Sequence, residues 1–295
     1  MSAILYDTLG PIGRRRVAIG SAVAIAGLAV AGGLAVIRLV DAGQFQWQKW
    51  SPILNPADAQ FATLWRFLAG GALHTLEAAA FAMAFSLAIG TVLASARVVA
   101  KPWYRWLLVS VIELLRGVPV VMAIFFASRV LPQVGLDLSL VWYLVIGLTA
   151  YNSVVIAEII RAGVQALPRG QTEAAYAIGL TRGATLRLVL LPQAFRIMLP
   201  ALIGQLVVVL KDTSLGAFIG YEELLRRGNI GVQNLHNPIQ LYLLIAGLFI
   251  TMNLAVSRFA TVVERRTSGD RRRLGGDVEA EVGAVEGQSA AAVGA

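Results

Sequence analysis

The chain has 295 residues, 57% hydrophobic and 14% charged, with a mean hydropathy of +0.71. That balance excludes a soluble globular domain and is the composition of an integral membrane protein. Cysteine is absent, so disulfides and thiolate metal sites are excluded. His74 and His236 are the only histidines, and the carboxylates show no metal-ligand spacing. The net charge of +8 does not require nucleic acid, because membrane proteins carry an excess of Lys and Arg in the loops on one side of the bilayer.

Residues 1–16 are polar and end in Arg14-Arg15-Arg16, whereas residues 17–37 carry no charge. The apolar run exceeds the roughly 7–15 residues of a signal-peptide core, and no small-x-small cleavage site follows. It reads as a retained first span, 17–39. Residues 40–69 form an extracytoplasmic linker dense in aromatic side chains, Phe45, Trp47, Trp50, Phe61 and Trp65. Such density marks a membrane interface or, alternatively, a partner-binding surface. A core of five further spans occupies 70–263. Its first span, 78–96, ends at a tight basic turn with Arg97, Lys101 and Arg105.

The next apolar stretch, 106–128, contains Glu113 and Arg116. Either these lie inside the bilayer, where charge is costly, or 103–116 is an interfacial helix and the span begins near Gly117 with Pro119 just inside it. The second reading is adopted, and the i, i+3 spacing allows a Glu–Arg pair in both. The following span, 138–157, holds Asn152 and Ser153, with Glu158 and Arg161 just beyond. A span at 197–221 is interrupted by Lys211-Asp212-Thr213-Ser214, and 239–257 completes the core. Residues 264–295, rich in acids, glycine and alanine, read as a disordered cytoplasmic tail.

Between two of these spans, residues 165–196 are too charged to cross a bilayer yet well patterned for helices. The stretch Gln171–Ile178 favours a helix, with Glu173 placed near its start, where the helix dipole stabilises an acid. Gly179 stops it, and Thr181 is positioned as the N-cap of a second short helix reaching Leu191-Pro192. The expected result is two short helices meeting at a glycine elbow. With six spans, the basic head, the 97–105 turn, the elbow and the C-terminal flank share one side and hold most of the 25 Lys and Arg. That side is expected to be cytoplasmic.

The elbow also carries a spacing. Glu173-Ala174-Ala175 is followed after three residues by Gly179, and after nine more by Val189, one residue, and Leu191-Pro192. This resembles the cytoplasmic signature of ATP-binding-cassette importer permeases. ELLRGVPVV at 113–121, AEIIRAGVQALPRGQTEAA at 157–175, LPQAFRIMLPAL at 191–202 and KDTSLGAFIG at 211–220 are similar to the narrower group of polar amino acid permeases, of the histidine, glutamine and glutamate type. The N-terminal span and linker resemble the longer permease subunit of actinobacterial glutamate importers.

The resemblance covers about 70–263 and implies a five-helix permease core in the bacterial cytoplasmic membrane. With the N-terminal span the expected fold is all-α with six transmembrane helices, and the charge bias places both termini inside. The resemblance also implies a coupling role for Glu173, Ala174, Ala175, Gly179, Leu191 and Pro192 against a partner ATPase dimer. A second permease subunit, identical or different, and an extracytoplasmic substrate-binding protein complete the implied importer. None of the three lysines lies in a Walker A sequence, so no cofactor is expected on this chain, and ATP and magnesium belong to the partner. At about 1.5 Å per residue, Lys211 lies roughly 22 Å above Arg196, in the outer half of the bilayer. Lys211 and Asp212, with Thr213, Ser214 and Asn152, are therefore candidates for an amino acid pathway. A structural Lys–Asp pair and helix-joining polar groups are the alternatives. Where the family often has glutamine, this chain has Ala123, which removes one expected substrate contact. An ion-coupled transporter or gated channel remains a competing class. An enzyme is disfavoured, because no nucleophile and base come together in the sequence.

Overall fold

A bilayer interior offers backbone N–H and C=O groups no partner outside the chain, so apolar runs of this length fold as helices. The structure, a computed structural model, describes residues 10–100 and 102–268, and it contains no strand among them. The elements are α1 (Pro11–Asp41), α2 (Trp47–Leu54), α3 (Phe61–Val99), α4 (Pro102–Gly117), α5 (Val120–Val130) and α6 (Leu140–Gln165). There follow α7 (Arg169–Ala177), α8 (Arg182–Ala184), α9 (Leu191–Asp212), α10 (Leu224–Leu235) and α11 (Pro238–Ser268). A π-helical turn, Thr185–Leu190, joins α8 to α9, and a 3-10 turn, Thr213–Ile219, extends α9.

Five segments are long and apolar enough to cross a membrane, and α4 with α5 makes a sixth if this bent pair is one span. Those two helices meet at 96° across Val118-Pro119, which is the shape an interfacial helix turning into a span requires. Proline cannot donate the next helical hydrogen bond, and it restricts the residue before it to extended backbone, so the break falls there. Glu113 and Arg116 pair at 3.8 Å on the exposed side of α4.

Helix α3 is the spine. Its buried positions, Leu68, Gly71, Thr75, Ala79, Ala82, Ser86, Gly90 and Ala94, recur every three or four residues and are mostly small. Small side chains let α6 approach closely, which is how helices associate where lipid removes the hydrophobic drive. A Cβ at Gly90 would lie 2.7 Å from the Ser153 carbonyl oxygen, and one at Gly147 would lie 2.6 Å from Ile124 Cα on α5. Three apolar clusters stack along this spine. Ile53, Leu68, Leu224 and Leu241 fill the end with α2 and α10, Ala82, Ile124, Leu148 and Leu210 the middle, and Ala94, Ile160 and Leu202 the elbow end.

Several boundaries differ from the sequence expectation. α3 begins at Phe61, inside the expected linker, and its 39 residues span nearly twice the ~30 Å of a hydrocarbon core. Its first turns pack against α2 and α10, which hydropathy alone does not register. The second arm of the elbow is not a separate short helix, because α8, the π-helical turn and α9 run on as one segment, Arg182–Ile219. Pro192 falls just after the widened turn, where the regular helical hydrogen-bond ladder is already interrupted. The last helix reaches Ser268, beyond the expected start of the tail at 264. The rest of that tail, and residues 1–9 of the basic head, lie outside the described residues. No residue of α1 is buried.

Candidate functional site

The elbow is set by local geometry. Gly179 takes φ +84°, the left-handed conformation in which alanine or any β-substituted residue is strained. Its N–H donates to Tyr176 O at 2.9 Å, and the Leu180 N–H donates to Ala175 O at 3.1 Å. These are the two bonds of a Schellman motif, which satisfies carbonyls left open at the end of α7. The Thr181 hydroxyl then accepts from the Ala184 N–H at 3.3 Å and caps the next segment.

Glu173 is placed differently from expectation. α7 begins at Arg169, directly after Pro168, and its first turn holds no acid. Glu173 lies mid-helix, beyond the turn over which the helix dipole acts. Dipole stabilisation therefore does not account for it, and its side chain is exposed. Ala174 and Gly179 share that exposed surface, together with Tyr176 at 46% and Ile178 at 78% exposure. Ala175 instead faces inward at 3% exposure, Leu191 is half-buried, and Pro192 is exposed. The signature residues thus divide between an outward face and the packing that holds it.

One polar contact ties α7 to α9, and others tie α3 to α6 beside the elbow. Gln193 Nε2, on α9, donates to Gln171 Oε1 on α7 at 3.1 Å. Beneath it, Glu158 on α6 binds Arg97 on α3 and also Arg161, whose Nε donates at 2.8 Å. Arg161 reaches on to Gln165 Oε1 at 2.6 Å. These pairings join elements 61 residues apart in the case of Arg97 and Glu158, and separation on that scale hides them from sequence spacing.

The candidate pathway residues lie at the other end of α9 and do not form one cluster. Lys211 is exposed, Asp212 is half-buried, and no ion pair joins them among the described residues. Thr213 is fully buried and its hydroxyl donates to Leu210 O at 2.7 Å. Lys211 and Ser214 line a cavity of about 250 Å³ with Tyr242 and Phe249 of α11. Asn152 is remote from them in role. It is fully buried, its Nδ2 donates to Leu148 O at 2.8 Å, and its Oδ1 accepts from Gln205 Nε2 at 2.6 Å. This amide pair joins α6 to α9, the helix-joining alternative for that residue.

At the end away from the elbow, a second polar strap was not visible in the sequence. Glu223 is fully buried and caps α10, accepting from the Leu225 and Arg226 N–H groups at 2.8 and 2.7 Å. Burial pushes its carboxyl up to about 7, against the opposing effect of those two N–H groups. Arg227 crosses to α3, donating to Phe67 O at 2.9 Å and lying over the Phe67 ring.

These features define a multi-span membrane protein, helical among the described residues, with an exposed elbow tied to α9 through Gln193. The chain belongs to the binding-protein-dependent transport system inner membrane components, the family that matches residues 63–269. It is 36% identical over 234 residues to the glutamate transport system permease protein GluD of Corynebacterium glutamicum, covering 78% of this chain and 84% of that one. The probable glutamine ABC transporter permease protein GlnP of Bacillus subtilis is 32% identical over 203 residues, 68% of this chain and 93% of that one. Among solved structures, the crystal structure of an amino acid ABC transporter with histidines superposes with a TM-score of 0.63 at 29% identity, covering 70% of this chain and 96% of that one. The chain is therefore a membrane subunit of a binding-protein-dependent transport system rather than a catalyst. Its family works with a substrate-binding protein and with an ATPase that is a separate chain.

Proposed function

We propose that this subunit couples ATP hydrolysis on a partner ATPase dimer to import of a polar amino acid, with glutamate as the first candidate. The observation that carries the reading is the elbow. Its exposed face of Glu173, Ala174 and Ile178 lies on α7, which the Gly179 turn joins to the continuous segment Arg182–Ile219 that carries Lys211 and Asp212. Displacing the elbow displaces that helix, because α8, the π-helical turn and α9 run on as one segment directly after the turn. ATP and magnesium bind the partner. The elbow and both termini face the cytoplasm, a reading supported by the concentration of Lys and Arg on that side. A second permease subunit completes the pathway and covers the exposed Lys211. There the ammonium of Lys211 receives the substrate carboxylate, and Asp212 with Ser214 receives its amino group. Glutamate follows from the likeness to the GluD protein.

The test is uptake of radiolabelled glutamate into proteoliposomes containing the subunit, its second permease, ATPase and binding protein. Accumulation that requires ATP is expected. Flux driven by an ion gradient without the ATPase would replace this reading with a secondary transporter.

A further inference from the structure

On the elbow side of the bundle, the ends of α3 and α6, the start of α4, and the α7–α8 segment enclose a cavity of about 400 Å³. Four arginines line it, Arg97, Arg105, Arg161 and Arg182. Glu158 answers Arg97 and Arg161 together, whereas Arg105 and Arg182 have no acidic partner among the described residues. Thr185 also lines the cavity, 1% exposed, and its hydroxyl has no hydrogen-bond partner. A buried hydroxyl without a partner is uncommon, and this one, beside the cavity, is free to donate to an anion. An excess of guanidinium groups beside it fits a phosphate, whose oxygens accept paired bonds from arginine.

The surroundings indicate where that phosphate comes from. Val98, Leu186 and Leu190 give the cavity apolar walls. Beside Arg105, Trp103 and Trp106 stand 74% and 66% exposed on α4, and exposed indoles of this kind mark the level of lipid headgroups. Basic pockets between membrane helices are suited to such headgroups. We propose that this cavity binds the phosphate of an anionic phospholipid, with Arg105, Arg182 and Thr185 as its principal ligands. Bound there, the lipid bridges α4 to the elbow.

The test is native mass spectrometry of the full chain in detergent, titrated separately with phosphatidylglycerol, phosphatidylcholine and inorganic phosphate. One phosphatidylglycerol is expected to be retained at about tenfold lower concentration than phosphatidylcholine, and inorganic phosphate at equal concentration should not displace it. Arg105→Gln with Arg182→Gln should weaken retention about tenfold. Thr185→Val should weaken it less, and Arg169→Gln with Arg187→Gln, equally basic but outside the cavity, should leave it unchanged. Both targeted arginines are exposed, and an unaltered melting temperature verifies folding of the variants. Equal retention of the two lipids, displacement by inorganic phosphate, or equal loss in the control pair would each overturn the assignment.

Discussion

Replacing Gly179 with alanine isolates the backbone contribution to the elbow. A Cβ there would meet nothing within 4 Å, so no clash contributes, and the penalty is that of holding an L-residue at φ +84°. That conformation costs about 1–2 kcal/mol for alanine, and less for asparagine, which tolerates it. A shift of this size changes the local folded-to-open ratio about 5–30-fold. The amides that report it are those of Gly179 and Leu180, whose bonds to Tyr176 O and Ala175 O close the turn. Hydrogen exchange should therefore show their protection falling about 5–30-fold in Gly179→Ala and by a smaller factor in Gly179→Asn. Amides in the middle of α6 should not change. If the two variants kept native protection, or if asparagine were the worse of them, the left-handed elbow would not be what holds this segment.

Other perturbations test the packing. Gln205→Leu leaves the buried Asn152 Oδ1 without its donor, and a thermal melt should register a loss of about 1–3 kcal/mol that Asn152→Leu added to it partly restores. Gly147→Ala places a Cβ 2.6 Å from the Ile124 backbone, whereas Gly204 has open space around it. The first should lower the melting temperature by the equivalent of about 1–3 kcal/mol, and Gly204→Ala should be neutral or slightly stabilising. The Glu223 carboxyl, raised from 4.5 to about 7, binds more protons folded than unfolded. Its contribution to stability is then fullest below the unfolded value and is lost as pH rises to about 7. Glu223→Gln should flatten that slope in melts recorded between those limits.

The parts legible in the sequence were those decided by neighbours in the chain. Gly179 and Thr181 set a cap and a turn within a few residues, and the apolar runs imposed helices without reference to anything else. Glu173 was misplaced along its helix because Pro168, rather than the acid, determines where α7 begins. The brace of Arg97 on Glu158 and the bond from Gln205 to Asn152 depend on how distant helices pack. Neither leaves a periodic trace. The early start of α3 escaped hydropathy for a related reason, since Thr63, Trp65 and Arg66 look like linker until α2 and α10 are set against them. Glu223 gave no signal at all, because a buried cap and an exposed loop acid look alike in one sequence.

On the proposed function the elbow transmits ATPase motion to the pathway, and Glu173→Lys tests that transmission most directly. The side chain is exposed and makes no contact that holds the fold, so insertion and melting temperature should remain native. In proteoliposomes with the second permease, ATPase and binding protein, ATP-dependent amino acid uptake should fall at least tenfold. Uptake at the native rate in a correctly inserted Glu173→Lys subunit would contradict the account.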